Sequence, residues 1–161
     1  MLILNSGGTL NKRYNPLNGE LEIPYDNNII ERILASVDSE YNLAGVVYKD
    51  SLEMDMSDRK MLTNIIMESS DDTFVIVHGT DTMDITAEFL SEIFDDRKIV
   101  LVGAMNPFEI DNVEASLNIG MALGYAKAIQ DSGVYICMSG HVEIWNKLEK
   151  NRAKGKFELV Q

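Results

Sequence analysis

Hydroxyl and carboxylate groups crowd into His78-Gly79-Thr80-Asp81-Thr82, directly after the apolar run Phe74-Val75-Ile76-Val77. Such a cluster at a strand end suits acyl transfer, where an alcohol attacks a carbonyl and needs a partner to take its proton. The same side chains can instead cap the following helix, since Thr80, Asp81 and Thr82 each offer an oxygen to free amides. The two roles are compatible, because a helix N-terminus also favours a developing oxyanion. A second hydroxyl, Thr9, follows Ser6-Gly7-Gly8. Paired glycines let backbone N–H groups come close to a ligand, although such a pair can equally be a plain turn. The third glycine of a dinucleotide fingerprint is absent. Gly103-Ala104-Met105-Asn106-Pro107 either leaves room for a ligand or makes a tight turn.

The elements that must position these groups alternate between strand and helix. Strands are expected at Leu2–Leu4, Val46–Tyr48, Phe74–Val77, Ile99–Val102 and Val134–Met138. Helical spacing joins Ile29, Ile30, Ile33, Leu34 and Val37 after an N-cap at Asp26, and Met61, Leu62, Ile65 and Ile66 after an N-cap at Ser57. A third stripe runs through Ile85, Phe89, Leu90, Ile93 and Phe94, and a longer helix occupies residues 112 to 130. Gly7 to Glu22 is polar, with turn formers at Pro16, Asn18 and Gly19, and reads as a long loop or a hairpin. Continuous β-branched runs at Phe74 and Ile99 suit strands covered on both faces. The expectation is an α/β fold: one three-layer α/β/α sandwich over residues 1–161, mostly parallel, Rossmann- or flavodoxin-like. In such folds ligands bind beyond the carboxyl ends of the strands. That rule selects the segments 6–11, 49–55, 78–83 and 103–111.

The 161 residues carry a net charge of −12, which disfavours holding phosphate backbones and anionic membrane surfaces by charge. No apolar run is long enough to span a bilayer. No basic, apolar leader opens the chain, so the expected location is cytoplasmic. The one cysteine, Cys137, allows neither an intrachain disulfide nor a cysteine zinc site and reads as a small buried hydrophobe. His78 is expected to be structural, His141 has only Glu143 as a near acidic neighbour and implies no metal, and Trp145 reads as packing. The basic run Lys147 to Lys156 reads as a solvated face.

Taken together, Gly7-Gly8-Thr9, His78-Gly79-Thr80-Asp81-Thr82 and Val102-Gly103-Ala104-Met105 resemble, in order and spacing, the signature blocks of bacterial-type L-asparaginases, and Asn118 fits the same pattern. The resemblance spans nearly the whole chain but only the N-terminal domain of the usual family member. It implies an asparaginase-type amidohydrolase, with Thr9 as nucleophile, activated by a loop tyrosine, and Thr80 working with Asp81 and a lysine. Tyr14 in Tyr14-Asn15-Pro16-Leu17-Asn18-Gly19 is the implied tyrosine, with Tyr25 as the alternative. Counting onward from Met138 as the family spacing implies gives Lys150, with Lys147 as the neighbour to distinguish from it. Gly8, Ser51, Gly79 and Ala104 would bind a small amino-acid substrate. No cofactor or metal is implied.

The chain departs from that pattern in three places. The family's smaller C-terminal domain, which helps hold the substrate's α-amino group in a neighbouring subunit, has no counterpart. Leu52 stands where a polar residue often follows the substrate serine. Asp111-Asn112-Val113-Glu114 replaces a Ser-Asp-Gly stretch. A homo-oligomer, dimer or tetramer, is expected to complete the site. The helix around Gly120 and Gly124 could pack between copies, although burial in its own core is the stronger expectation. Two rival functions fit the same residues: a non-catalytic module binding a small amino acid, and a subunit of an amidotransferase-type assembly completed by a partner.

Overall fold

The computed structural model describes residues 1–160. In chain order its elements are β1 (Leu2–Gly7), β2 (Arg13–Asn15), β3 (Glu20–Glu22), α1 (Asn28–Leu34), β4 (Asn42–Lys49), α2 (Met56–Glu68) and β5 (Thr73–Val77). There follow α3 (Met83–Ser91), β6 (Lys98–Val102), α4 (Asn112–Ala128), β7 (Gly133–Met138), β8 (His141–Ile144), β9 (Leu148–Asn151) and β10 (Lys156–Leu159). Six strands form one sheet in the order β4-β1-β5-β6-β7-β8. All neighbours in it are parallel except β8, which returns antiparallel along β7. The expected five-stranded parallel core is therefore present, with an added edge strand. Two small hairpins, β2–β3 and β9–β10, stand apart from the sheet.

Side chains alternate across each central strand and feed two cores. Val75, Val77, Val100, Val102 and Cys137 face α1 and α4. Phe74, Ile76, Ile99, Leu101, Ile136 and Met138 face α2 and α3. Burial on both faces is why these runs are continuously apolar. The distribution of helices also fixes the connections. Steps β1-α1-β4, β4-α2-β5 and β5-α3-β6 share one hand, whereas β6-α4-β7 moves the same way along the sheet as β5-α3-β6 with its helix on the opposite face. Since such crossovers are right-handed as a rule, β6-α4-β7 is the left-handed exception.

Several local expectations change. Helix α2 begins at Met56 and is capped by Asp55, not Ser57: Asp55 accepts from the Ser57 and Asp58 amides while Asp58 accepts from the Asp55 amide, a reciprocal box. Helix α1 has Asn27 as its N-cap and stops at Leu34, leaving Val37 outside it. Asp26 still accepts the Asn28 amide, but its carboxylate is committed to Arg13. In α3 the buried face is Met83, Thr86, Ala87 and Leu90, and Ile85 is exposed. Gly120 and Gly124 do not pack in the core: they lie on the exposed side of α4 with Val113 and Leu117, and a Cβ on either glycine would meet nothing. The buried face is Ala115, Asn118, Ile119, Ala122 and Ala126. The basic run from Lys147 is not simply a solvated face. It folds as the β9–β10 hairpin, anchored by buried Leu148 and Phe157 in the α2–α3 core.

Candidate active site

At the carboxyl edge of the sheet, glycines bring three loops into backbone contact. Gly8, at φ 79°, lies so close to Gly79 that a Cβ would sit 2.4 Å from the Gly79 nitrogen. A Cβ on Gly79 would in turn sit 2.6 Å from Ser51 Oγ. Real Cβ atoms never approach so closely, so only glycine lets these segments meet. The loops that carry Thr9, Ser51 and Thr80 are thus adjacent, where β1 and β5 part company at the switch in strand order. The Gly8 amide donates to the Lys49 carbonyl at 2.9 Å, and Ser51 Oγ accepts the Asp81 amide at 3.2 Å.

The β9–β10 hairpin delivers Lys150 to this seam. Its Nζ donates to Thr80 Oγ1 at 2.8 Å and to Asp81 Oδ1 at 2.9 Å, across about seventy residues of sequence. Leu148 and Lys150 lie on the same side of β9, so anchoring one aims the other. Lys147 is exposed and has no part in the cluster. Thr80 is buried, and Asp81 is partly so. Burial works to raise the Asp81 pKa, but hydrogen bonds from Lys150 and Arg152 outweigh it and hold the carboxyl below its ordinary range. Asp81 is therefore an anion at neutral pH. None of Thr80, Asp81 and Thr82 spends its side chain on capping α3. Thr82 donates to the Ser51 carbonyl at 2.8 Å and accepts from Arg59.

Behind the loop runs a buried polar relay. Arg59 Nε donates to Thr86 Oγ1 at 3.0 Å, Thr86 Oγ1 and His78 Nε2 are 2.8 Å apart, and His78 Nδ1 meets the Gly79 carbonyl at 2.7 Å. A carbonyl only accepts, so Nδ1 carries the proton, and Nε2 accepts the Thr86 hydroxyl. Burial pushes the His78 pKa down to about 4, so the ring is neutral and structural, as expected. Arg59 also donates to the Met54 carbonyl, tying α2 to both loops. Sequence reasoning passes over Arg59 and Arg152. Arg59 gives no signal in the sequence, and Arg152 only that it is a cation two residues from Lys150.

The remaining expected residues are placed less uniformly. Thr9 opens a short 3-10 turn, half-buried. Tyr14 lies on the exposed β2–β3 hairpin, its hydroxyl near Gly19 of its own turn. Tyr25 is more exposed still, its ring 5.7 Å from that of Tyr48. Among the described residues neither tyrosine hydroxyl makes a hydrogen bond, so neither is joined to Thr9 in this conformation. Ala104 is fully buried in the α4 core, so only its backbone is placed to meet a ligand. Next to it, Asn118 donates to the Gly103 carbonyl at 2.9 Å, and Glu114 accepts the Met105 and Asn106 amides. Asp111 caps α4, doing without the glycine of the expected stretch. A cavity of about 530 Å³ lies beside the cluster, between the β2–β3 hairpin and residues Lys49–Glu53, walled by Lys12, Tyr25, Asp50 and Leu52. Among the described residues no helix is long and apolar enough to cross a membrane.

A family model described as Asparaginase, N-terminal matches residues 1–157. A glutaminase-asparaginase of Acinetobacter glutaminasificans is 29% identical over 110 residues, covering 63% of this chain and 33% of that protein. A glutamyl-tRNA(Gln) amidotransferase component of Methanococcus maripaludis is 31% identical over 144 residues, covering 86% of this chain and 34% of that protein. The chain thus spans about a third of the length of these curated relatives. In fold, it superposes on the thermostable L-asparaginase of Thermococcus kodakarensis with a TM-score of 0.85 at 22% identity, over 99% of this chain and 50% of that one.

Proposed function

Because this chain belongs to the asparaginase family, matching its N-terminal domain over residues 1–157, we propose that it hydrolyses a side-chain amide, that of L-asparagine or a related carboxylate, through a threonine acyl-enzyme. One observation carries the reading: a lysine from the β9–β10 hairpin donates to both the hydroxyl and the carboxylate of Thr80-Asp81. A lone cap or turn would not require that convergence.

In the proposed reaction Thr9 Oγ1 gives its proton to Tyr14 and bonds to the amide carbon while the carbonyl electrons move onto oxygen; that proton goes on to the departing nitrogen. Loop amides near Gly8 and Gly79 stabilise that oxyanion, at roughly 3 kcal/mol per well-placed donor. The C–N bond then breaks, with the nitrogen taking a proton, and ammonia leaves. Thr80, Asp81 and Lys150 form the path by which protons reach and leave the reacting atoms. A water next attacks the Thr9 ester, giving a carboxylate and regenerating the hydroxyl. Tyr14 assists Thr9 in this scheme, which requires the β2–β3 hairpin to move inward. Ser51 and the backbone at Gly8, Gly79 and Ala104 hold the rest of the molecule. The test is ammonia release from L-asparagine and related amides beside Thr9→Val and Thr80→Val controls. Wild-type turnover in both variants would end this reading.

A second reading has an observation of its own. The similarity to the amidotransferase component covers 86% of this chain. A partner-dependent enzyme would release ammonia only when a second protein completes the site. The exposed α4 stripe of Val113, Leu117, Gly120 and Gly124 supports association, with such a partner or with another copy. Light scattering with and without a Leu117→Glu substitution separates a self-associating chain from a monomer.

A further inference from the structure

The charge around Thr80 runs against the charge of the chain. The 161 residues together carry −12, yet the cluster at Thr80 holds two cations, Lys150 and Arg152, on a single carboxylate, Asp81. Arg152 Nη1 bonds to the same Asp81 oxygen as Lys150, and Arg152 Nη2 donates to the Asp81 carbonyl at 3.1 Å. A guanidinium has five N–H donors. Two are engaged here, and Arg152 is 64% exposed at the side chain, so the rest of its fork is open to solvent beside Asp81. The other nearby carboxylate, Asp50, is matched by Lys12 at 2.6 Å. Glu22 accepts from Asn15 and Asn18, and Glu53, on the adjacent cavity wall, is exposed and screened by water. The hairpin's remaining lysines, Lys154 and Lys156, are held by Glu158. Within the trio of Lys150, Arg152 and Asp81, two cations share one carboxylate and one positive charge is left over.

We propose that Arg152 sets substrate class: the site takes an amide bearing a carboxylate without a neighbouring ammonium, a succinamate-like anion, ahead of L-asparagine. An ammonium brought to Asp81 would meet a carboxylate already shared by two cations, whereas a carboxylate would meet the open side of a guanidinium, whose planar fork matches it. The inference rests on the amide-hydrolysing reading for the reaction, but its binding half can be measured without turnover.

The experiment is calorimetric titration of the full chain, wild type and Arg152→Gln, with succinate and with L-aspartate. The two ligands share both carboxylates and differ in the ammonium. Arg152 is on the surface, so the variant is expected to fold, which an unchanged Tm checks. Wild type is expected to bind succinate about tenfold more tightly than L-aspartate, and Arg152→Gln to bring the two within about twofold, as expected for loss of a charge-assisted contact. Equal binding by wild type, no binding of either ligand, or an equal loss for both in the variant would each overturn the proposal. Ammonia release from succinamate and L-asparagine, measured on the same samples, keeps the two readings apart. A binding preference without any ammonia would sink the hydrolase and leave the charge rule. Turnover that favours L-asparagine would do the reverse.

Discussion

The two threonines sit in contrasting surroundings. Thr80 is buried, takes a hydrogen bond from Lys150, and rests on a loop fixed from behind by Arg59, Thr86 and His78. Thr9 is half-buried in a short turn, and the tyrosine proposed to serve it lies on an exposed hairpin, with no hydrogen bond among the described residues to hold its hydroxyl. One side of the site is assembled in advance, and on the other the proposed tyrosine is not joined to its threonine in this conformation. Division of this kind is common where a closing element must admit a substrate before chemistry begins.

Four measurements bear on this contrast. The greatest effect is expected at the assembled side. Lys150→Met should cut turnover by about a thousandfold, since it strips Thr80 and Asp81 of their shared proton partner. Single-turnover rates would show it, and a loss of less than about tenfold would mean the assembled side is scaffolding. Next comes pH. The unfolded chain protonates His78 near the ordinary value of 6.5 and the folded one only near 4, so stability present at neutral pH should drain away as pH falls through that window. The expected loss is about 3 kcal/mol, read from urea unfolding at successive pH values. A flat profile would show that the ring is not sealed from protons.

On the open side, Tyr14→Phe should lower kcat by roughly tenfold while leaving Tm unchanged, because the hydroxyl supports no folded contact. A drop in Tm would show that the hydroxyl supports the fold as well as the reaction. The least effect is expected from Asp55→Ala, which removes the α2 cap and should cost about 1 kcal/mol of stability with turnover nearly intact. If turnover fell with it, the Ser51 loop would depend on α2 for its position more than its own bonds suggest.

How much of this is visible in the sequence follows from the same contrast. Strands β5 and β6 are legible because burial on both faces leaves only apolar residues at their centres. The Thr80 segment is legible because polar groups crowd the end of such a strand. Lys150 can be reached only through family spacing: β9 and β10 are four residues each, mostly polar, and only Leu148 and Phe157 betray a buried side. Arg59 gives no signal, since an arginine within a helix looks like any solvated one until Thr82 and Thr86 are folded against it. The outward turn of Gly120 and Gly124 is hidden because α4 is apolar around much of its circumference and so carries no direction. The cap at Asp55 escapes notice because Ser57, two residues on, has a similar propensity, and only the reciprocal bond from the Asp55 amide to the Asp58 carboxylate decides between them.

The hairpin that carries Lys150 has a consequence for the life of the nascent chain. Thr9 leaves the ribosome first, Thr80 and Asp81 well after it, and Lys150 later than either. Its aim also depends on Phe157, which joins the core later still. Domains fold as they are made, at several residues per second. For seconds, then, the growing protein holds both hydroxyls and the carboxylate without the amine that joins two of them. A synthesis that halted before residue 157 would leave the Lys150 hairpin without Phe157, one of its two buried anchors, and Thr80 and Asp81 without a lysine held between them.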